Sequence, residues 1–293
     1  MLSIVTAAKG RIEQTKEAFN SIWENAEDPA NIEHYIVVDC KDHALKQLVT
    51  EYGNFYKSVG INIVATEVCH CNVPNGYENR NIHKEYWNPL AKSCSGDLVF
   101  GMPNDCIIET KGFDRIMLES FEEAKAKYKH DCFQVLIDDD CSRDSARPTG
   151  IKRLAENSNW SKGKLEFSQE NIECNTEKEF CSWVILSRSA VNAIQGICAD
   201  EYQFDSADRH IYDVFANTPI PAQIDLRDLV STKHVSHWTG RAEIDEVHMS
   251  KPTKSEKCYT ELAVIDKLKP YHYRVNYEII RQVFDIDKEI CSL

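Results

Sequence analysis

The amino-terminal part of the chain alternates between short apolar runs and longer amphipathic stretches. The apolar runs have the length of buried β-strands and lie at residues 2–7, 34–39 and 61–65. The amphipathic stretches carry apolar side chains near helical spacing and lie at residues 12–25 and 44–52. The second run is apolar through its middle, which is typical of a strand covered on both faces. This order predicts a parallel sheet covered by helices.

The alternation continues less regularly towards the carboxyl end. Further strands are predicted at 98–100, 132–137, 180–186 and 223–226, and further helices at 82–93, 113–129, 188–195 and 209–216. Residues 141–180 are polar, and this composition predicts loops that extend over a site. Two helical pieces are predicted after residue 250, at 261–267 and 277–283. The fold class is therefore α/β, with a main domain at 1–245 and a carboxyl-terminal helical extension at 246–293.

Polar side chains stand where the predicted strands end. The strand at 98–100 leads into Asn104 and Asp105, and the second strand ends in Asp39. In open α/β sheets, ligands bind just outside the carboxyl ends of the strands. A carboxylate in such a turn suits a divalent cation, which oxygen ligands hold. The alternative is that Asp97 and Asp105 are turn residues around a buried strand.

Composition narrows the class of partner. The chain has 293 residues, 42% hydrophobic and 28% charged, with a formal net charge of -13. This acidity argues against a nucleic-acid partner, because affinity for phosphate backbones depends on Lys and Arg. A nucleotide would need a metal ion or local basic groups beside it. Arg11, in the first loop, has the forked donors that suit phosphate, and Lys9, Arg80 and Lys84 are further candidates.

The sequence also gives expectations for the cellular location of the protein and for the chemical state of its cysteines. No run approaches the roughly 18 apolar residues of a membrane span, and no signal peptide is recognisable. We therefore expect a cytoplasmic protein with no transmembrane segment. The twelve cysteines are expected to be reduced thiols. Cys69-His70-Cys71 is an alternative zinc cluster, although no second cysteine pair accompanies it.

Several motifs follow one another in a familiar order. They are the segment Thr6-Ala7-Ala8-Lys9-Gly10-Arg11, Asp39, Asn88 eight positions before Gly96-Asp97, the Asn104-Asp105 turn, Asp208 at the head of a helix, and the late histidines His234 and His237. Over most of residues 1–245 this pattern resembles the nucleotide-sugar glycosyltransferases of the GT-A fold, broadly those of family 2. The resemblance implies a GT-A-type, mostly parallel sheet.

The resemblance also implies roles for these residues. Nucleotide contacts are implied for Thr6, Ala7, Arg11, Asp39, Asn88 and Asn104. Metal binding is implied for Asp105 with His237, or with His234 in its place. Asp208 is implied as the catalytic base of an inverting enzyme, with Asp205 as the alternate. The chain departs from the family's Asp-x-Asp motif, because Asn104-Asp105-Cys106 offers one carboxylate and leaves further ligands to the diphosphate oxygens.

The expected function is therefore sugar transfer from a nucleoside-diphosphate sugar to a glycan or other hydroxyl acceptor. A metal ion would neutralise the leaving diphosphate as a Lewis acid, and mixed oxygen and nitrogen ligands suit Mn²⁺ as well as Mg²⁺. Two alternatives stay open. One is a metal-dependent phosphoester hydrolase centred on Asp138-Asp139-Asp140, and the other is a non-catalytic module that binds nucleotide sugars. Trp183 and Trp238 are candidates to stack on sugar rings or to anchor the core.

Overall fold

The computed structural model describes residues 1–68, 83–139, 183–198, 207–235 and 261–286. The strands in these ranges are β1 (Leu2–Ala8), β2 (Ile32–Asp39), β3 (Asn62–Val68), β4 (Leu98–Gly101), β5 (Cys106–Ile108), β6 (Gln134–Leu136), β7 (Val184–Ser187), β8 (Gln223–Asp225) and β9 (Thr232–His234). The α-helices are α1 (Ile12–Asn25), α2 (His43–Val59), α3 (Asn88–Ser93), α4 (Phe113–Tyr128), α5 (Arg188–Ile194), α6 (Ala207–Ala216) and α7 (Glu261–Val283).

The central sheet has seven strands in the order β3-β2-β1-β4-β7-β6-β8. The pairs β3-β2, β2-β1, β1-β4 and β6-β8 are parallel, and only β7 runs antiparallel to its neighbours. The predicted mostly parallel sheet is therefore confirmed. A separate two-stranded antiparallel sheet joins β5 to β9.

Helices cover both faces of the central sheet. On one face, α1, α2 and α4 pack on the side chains that include Ile4 and Ile36. On the other face, α3, α5, α6 and α7 pack on those that include Val5 and Val37. Neighbouring residues of one strand thus enter different cores, which explains the near-continuous apolar runs in the sequence. Among the described residues, no helix combines the length and the apolar character needed to cross a membrane.

Some predicted element boundaries were wrong. The third strand runs to Val68, and the helix predicted from residue 82 begins with a π-helical turn at His83–Trp87 before α3. Residues 234–241 were predicted as a loop, yet His234 ends strand β9. Strands β5 and β9 have three residues each, which is too short for a recognisable period of two.

The carboxyl-terminal extension is one continuous helix over Glu261–Val283, although two separate pieces were predicted. Pro270 lies inside it and removes one backbone donor. The helix continues because Tyr271, Val275 and Ile279 recur every four residues and are buried against the second core. Tertiary packing on α5 and α6 therefore outweighs the proline. The boundary at residue 245 stays a prediction.

Candidate functional site

The site lies where β1 and β4 end side by side. These strands are parallel neighbours, with Val5 opposite Gly101. The loop after β1 carries Gly10 and Arg11, and the turn after β4 carries Asn104 and Asp105. Because both segments leave the same edge of the sheet, their side chains meet at the position where open α/β sheets bind ligands.

Asp105 is the centre of this cluster. It is 3% exposed, and its Oδ2 accepts a hydrogen bond from Nη1 of Arg11 in a direct ion pair. Nε2 of His234 lies 3.5 Å from the same oxygen. The three side chains come from three separate segments of the chain, so only the folded structure brings them together.

The small β5-β9 sheet positions His234. In this sheet Cys106, the residue after Asp105, is opposite His234. The backbone N–H of Val235 donates to the carbonyl oxygen of Asp105 at 2.9 Å. Pairing a strand 126 residues away in sequence is therefore what places an imidazole beside the carboxylate. The histidine that the structure joins to Asp105 is the one predicted as the fallback ligand.

The conformation of the first loop positions Arg11. Gly10 and Arg11 both have left-handed backbones, with φ of 57° and 53°, a conformation that is uncommon for a residue with a side chain. The carboxylate of Asp42 accepts from the N–H of Gly10 at 2.7 Å. Thr15 Oγ1 donates to the carbonyl of Arg11 at 2.8 Å and lies 2.8 Å from Nδ2 of Asn104, which donates to it. These contacts hold the unusual loop and aim Arg11 at Asp105.

Electrostatics keep Asp105 ionised. Burial raises the pKa of this carboxyl, but the hydrogen bond and charge of His234, followed by the charge of Arg11, lower it more. The net result is a pKa below the ordinary value for aspartate. The cluster therefore presents a buried anion that already has a cationic partner.

Trp183 and Thr232 support the other side of the cluster. The indole Nε1 of Trp183 donates to Thr232 Oγ1 at 2.6 Å, and its ring meets the His234 ring edge-on, with centroids 4.8 Å apart. Thr232 Oγ1 donates in turn to the carbonyl of Asp138 at 3.0 Å. Trp183 thus stabilises β9 and the imidazole, in addition to its predicted role as an anchor.

Comparison with solved structures identifies the fold. A fragment of TarS from S. aureus, residues 1–349, aligns with a TM-score of 0.56 at 14% identity, over 96% of this chain and 72% of that one. The same fragment in complex with UDP-GlcNAc gives 0.55 at 13% identity, over 97% and 72%. The mannosyltransferase PcManGT from Pyrobaculum calidifontis, in complex with GDP-Man and Mn²⁺, gives 0.51 at 12% identity, over 97% and 73%.

The chain has the GT-A fold. No family model matches the sequence, and no curated protein matches it significantly. The expected fold class is thereby confirmed. The sequence identities are so low that these similarities establish the fold and not the function.

Two residues predicted to contact the nucleotide have structural contacts in this GT-A domain. Thr6 is 1% exposed, and its hydroxyl lies 2.9 Å from Nε2 of His34 inside the core. Asn88 is 3% exposed and binds backbone groups after α5. Its Oδ1 accepts from the N–H groups of Ile197 and Cys198 at 2.9 and 3.1 Å, and its Nδ2 donates to the Cys198 carbonyl at 2.9 Å. Asn88 thus fastens α3 to α5.

The glycine of the Gly96-Asp97 pair also has a structural reason. A side chain on Gly96 would place its Cβ in a clash with Ser3 Oγ and 2.7 Å from Ser3 N. The N–H of Gly96 donates to Ser3 Oγ at 2.7 Å. The pair precedes β4, at the opposite end of that strand from Asp105. Of the two aspartates flanking this strand, only Asp105 is at the carboxyl edge of the sheet.

The remaining predicted nucleotide contacts lie near the same edge. Asp39 ends β2, and its Oδ1 accepts from the N–H of Lys41 at 2.9 Å, which is the turn contact typical of aspartate. Ala7 is half-buried against the second core. Asn104 is buried and connects the two loops of the site. Sequence reasoning did not select Asp42, although its position just before α2 is a recognisable N-cap signal.

The acidic run after β6 was the centre of the alternative hydrolase interpretation. Asp138 and Asp139 are buried, at 1% and 4% exposure. The backbone of Asp138 pairs with β9, because its carbonyl accepts from the N–H of Thr232 at 2.7 Å. Asp140 lies outside the described residues. Within the described ranges, no group of three or more His, Cys, Asp or Glu side chains could hold a metal ion.

Other predicted site residues fall beyond what the structure describes. These are Asp205, His237, Arg80, Trp238 and the cluster Cys69-His70-Cys71. Asp208 was predicted to cap a helix beginning at Arg209, but α6 begins at Ala207. Asp208 is therefore the second residue of this helix and not the residue before it.

The donor set beside Arg11 fits a divalent cation in part. Asp105 and His234 supply one carboxylate and one imidazole, a mixed set that suits Mn²⁺, and their nearest atoms are 3.5 Å apart. The oxygen that a cation would use already accepts a bond from Arg11. Two protein ligands also leave coordination positions that a diphosphate would have to fill.

Proposed function

We propose that this chain is a glycosyltransferase that moves a sugar from a nucleoside-diphosphate sugar to an acceptor hydroxyl. The observation that carries the proposal is the cluster of Arg11, Asp105 and His234 at the carboxyl edge of a GT-A sheet. The fold alone argues weakly for function. The cluster adds a fixed cation and a carboxylate suited to metal binding at the position where a diphosphate would lie.

In this proposal Arg11 holds the donor. Its guanidinium forms paired hydrogen bonds with phosphate oxygens. Helix α1 begins directly after Arg11 and has no side-chain cap, so the positive end of its dipole adds to the same charge. Asp39, at the end of β2, is proposed to accept a hydrogen bond from a ring N–H of the nucleotide base.

Asp105 and His234 are the residues that would hold Mn²⁺ or Mg²⁺, and His237 is proposed as a further ligand. When bound, the cation supplies a Lewis acid for the charge of the leaving diphosphate. Neighbouring folds offer support, since PcManGT is described with GDP-Man and Mn²⁺ and TarS with UDP-GlcNAc.

The acceptor proton needs a base if configuration is inverted. Asp208 is the proposed base, with Asp205 as the alternate. In general, a carboxylate in the first turn of a helix is favoured in its ionised form and is then a weak base at equilibrium. Its effect would come from placement within hydrogen-bond reach of the acceptor hydroxyl. A glycan or another hydroxyl compound is the proposed acceptor class.

Thermal-shift measurements with UDP, GDP, CDP and TDP, each with and without Mn²⁺, test donor binding. A ligand present at 100 times its Kd stabilises the folded state by about 2.7 kcal/mol. We expect one diphosphate to stabilise the wild type with Mn²⁺ and to lose that effect in Asp105→Ala. The absence of any nucleotide effect would refute the proposal.

A turnover assay distinguishes a glycosyltransferase from a non-catalytic module that binds nucleotide sugars. The presence of only one carboxylate in the site favours the second alternative. Release of the nucleoside diphosphate from its sugar conjugate is the readout, measured with and without a panel of glycan acceptors. We expect release that depends on Asp105 and Asp208. Tight nucleotide binding without release in any mixture would instead support a binding module.

A further inference from the structure

One carboxylate oxygen of the site is approached by two side chains. Oδ2 of Asp105 accepts the Arg11 hydrogen bond and is also the carboxylate oxygen facing His234, at 3.5 Å. The side chains of Asp105, Arg11 and His234 are 4%, 11% and 17% exposed. A divalent ion between Asp105 and His234 would lie about 2.1 Å from its oxygen ligand. The ion would therefore lie close to the Arg11 guanidinium, with little water to screen the repulsion between the two positive charges.

The loop holds Arg11 in this competing position. Its left-handed backbone is fixed through the bond from Gly10 to Asp42 and through the bond of Thr15 to the Arg11 carbonyl. Asn104 connects that threonine to the turn that carries Asp105. The segment bearing the guanidinium and the segment bearing the carboxylate are thus tied together independently of their ion pair. Such an unusual backbone conformation persists only where surrounding contacts determine it.

A bound diphosphate changes the competition between the Arg11 guanidinium and a metal ion for Oδ2 of Asp105. Phosphate oxygens offer Arg a bidentate partner with more negative charge than one carboxylate. Once the guanidinium turns to the diphosphate, Oδ2 of Asp105 is free to bind a metal, and the diphosphate oxygens add ligands of their own. The two ligands would then strengthen each other's binding, and this effect is necessarily reciprocal.

We propose that Arg11 occupies the metal-binding oxygen of Asp105 in the ligand-free protein, so that a divalent cation binds tightly only together with a nucleoside diphosphate. Arg11 is then the residue that couples the two binding events. This inference rests on the proposed function, because it requires a diphosphate ligand. It assigns Arg11 a role beyond holding phosphate, namely the exclusion of metal from the empty site.

The test measures Mn²⁺ binding by electron paramagnetic resonance of the free ion, on the full chain. The protein is titrated alone and then saturated with whichever of UDP, GDP, CDP or TDP gives the largest thermal shift. The wild type is expected to bind Mn²⁺ at least tenfold more tightly with the diphosphate. Arg11→Gln is expected to bind Mn²⁺ alone at least tenfold more tightly than the wild type does, with a smaller enhancement by diphosphate.

Two further variants keep the test decisive. Arg11→Lys retains a positive charge without the planar fork and is expected to give a Mn²⁺ affinity between those of the wild type and Arg11→Gln. Arg115→Gln is the matched control, since Arg115 is exposed on α4 and pairs with Glu27, and it should behave as the wild type does. Circular dichroism spectra show whether each variant is folded. If Arg11→Gln does not fold, the comparison of Arg11→Lys with the wild type still tests the inference.

The outcomes separate this inference from the proposed function. Equal Mn²⁺ affinity in the wild type and the Arg11 variants, with a diphosphate still binding, would overturn the role of Arg11 and leave the transferase proposal intact. Failure of every diphosphate to bind, with or without Mn²⁺, would overturn both. Tight Mn²⁺ binding by the wild type alone would also contradict the inference.

Discussion

His34 offers a sharp test of how this core is built. The residue lies in β2 with no exposed surface, and its ring meets that of Phe19 edge-on at 4.9 Å. Nε2 lies 2.9 Å from the Thr6 hydroxyl, whereas Nδ1 has no hydrogen-bond partner in the described structure. Protonation would put a charge in the core without an acceptor for it. Burial accordingly lowers the pKa of His34 from 6.5 to about 3.

The sign and size of the pH dependence of stability follow from the difference in proton binding between the unfolded and folded states. Between the folded and unfolded pKa values, the unfolded state binds a proton that the folded state does not. Stability from this group is therefore complete above pH 6.5 and is lost as the pH falls towards 3. At pH 5 the unfolded state gains about 2 kcal/mol from a histidine of pKa near 6.5. The figure depends little on the folded value, provided that this lies well below 5.

The perturbation is His34→Gln, which removes the titration and retains a side chain able to hydrogen-bond Thr6. Urea unfolding followed by circular dichroism gives the free energy of unfolding at pH 7.5 and pH 5.0. The decrease between the two pH values should be about 2 kcal/mol larger in the wild type than in the variant. Titration of the other groups is common to both proteins and cancels in this comparison.

Thr6→Ser is the matched control, because it alters packing beside the same ring and keeps the histidine and a hydroxyl. Its loss of stability should be similar at both pH values. If the wild type and His34→Gln lose stability equally on acidification, His34 is not buried as a neutral ring, and the reasoning from its environment fails.

The remaining predictions concern the site and the contacts that support it. Asp105→Asn leaves Arg11 without its buried partner and should cost about 3 to 5 kcal/mol in urea unfolding, a loss that Arg11→Gln in the same chain should partly restore if the two side chains interact. Asn88→Ala removes bonds to backbone groups and should cost about 2 to 3 kcal/mol, while the Kd for the nucleoside diphosphate measured by calorimetry stays unchanged; a tenfold weaker Kd in a folded variant would instead favour a nucleotide contact. Trp183→Phe loses the bond to Thr232 and should weaken Mn²⁺ binding in the presence of diphosphate, and unchanged affinity would show that β9 holds its histidine without this indole.

The site was partly recognisable from the residues and partly not. Asp105 was predicted as a site residue because a carboxylate after a buried strand stands at the edge where open α/β sheets bind ligands. Arg11 was predicted to meet phosphate because it lies in the loop that follows the first strand. Their direct ion pair was not predicted, since it depends on a left-handed loop that contacts with Asp42 and Thr15 determine. The nucleotide contact of Thr6 stays a prediction, and the packing of its side chain beside His34 in the core was not predicted.

The sequence by itself determined the alternation of strands and helices, the parallel sheet buried on both faces, and the loops at its carboxyl edge. These follow from local periodicity and from the way that parallel strands are connected. Only the tertiary structure decided that β5 pairs with β9 and places His234 beside Asp105, that Asn88 fastens α3 to α5, and that α7 continues through its proline. Each of these features depends on contacts between distant segments, where the gain from packing or pairing outweighs local preference.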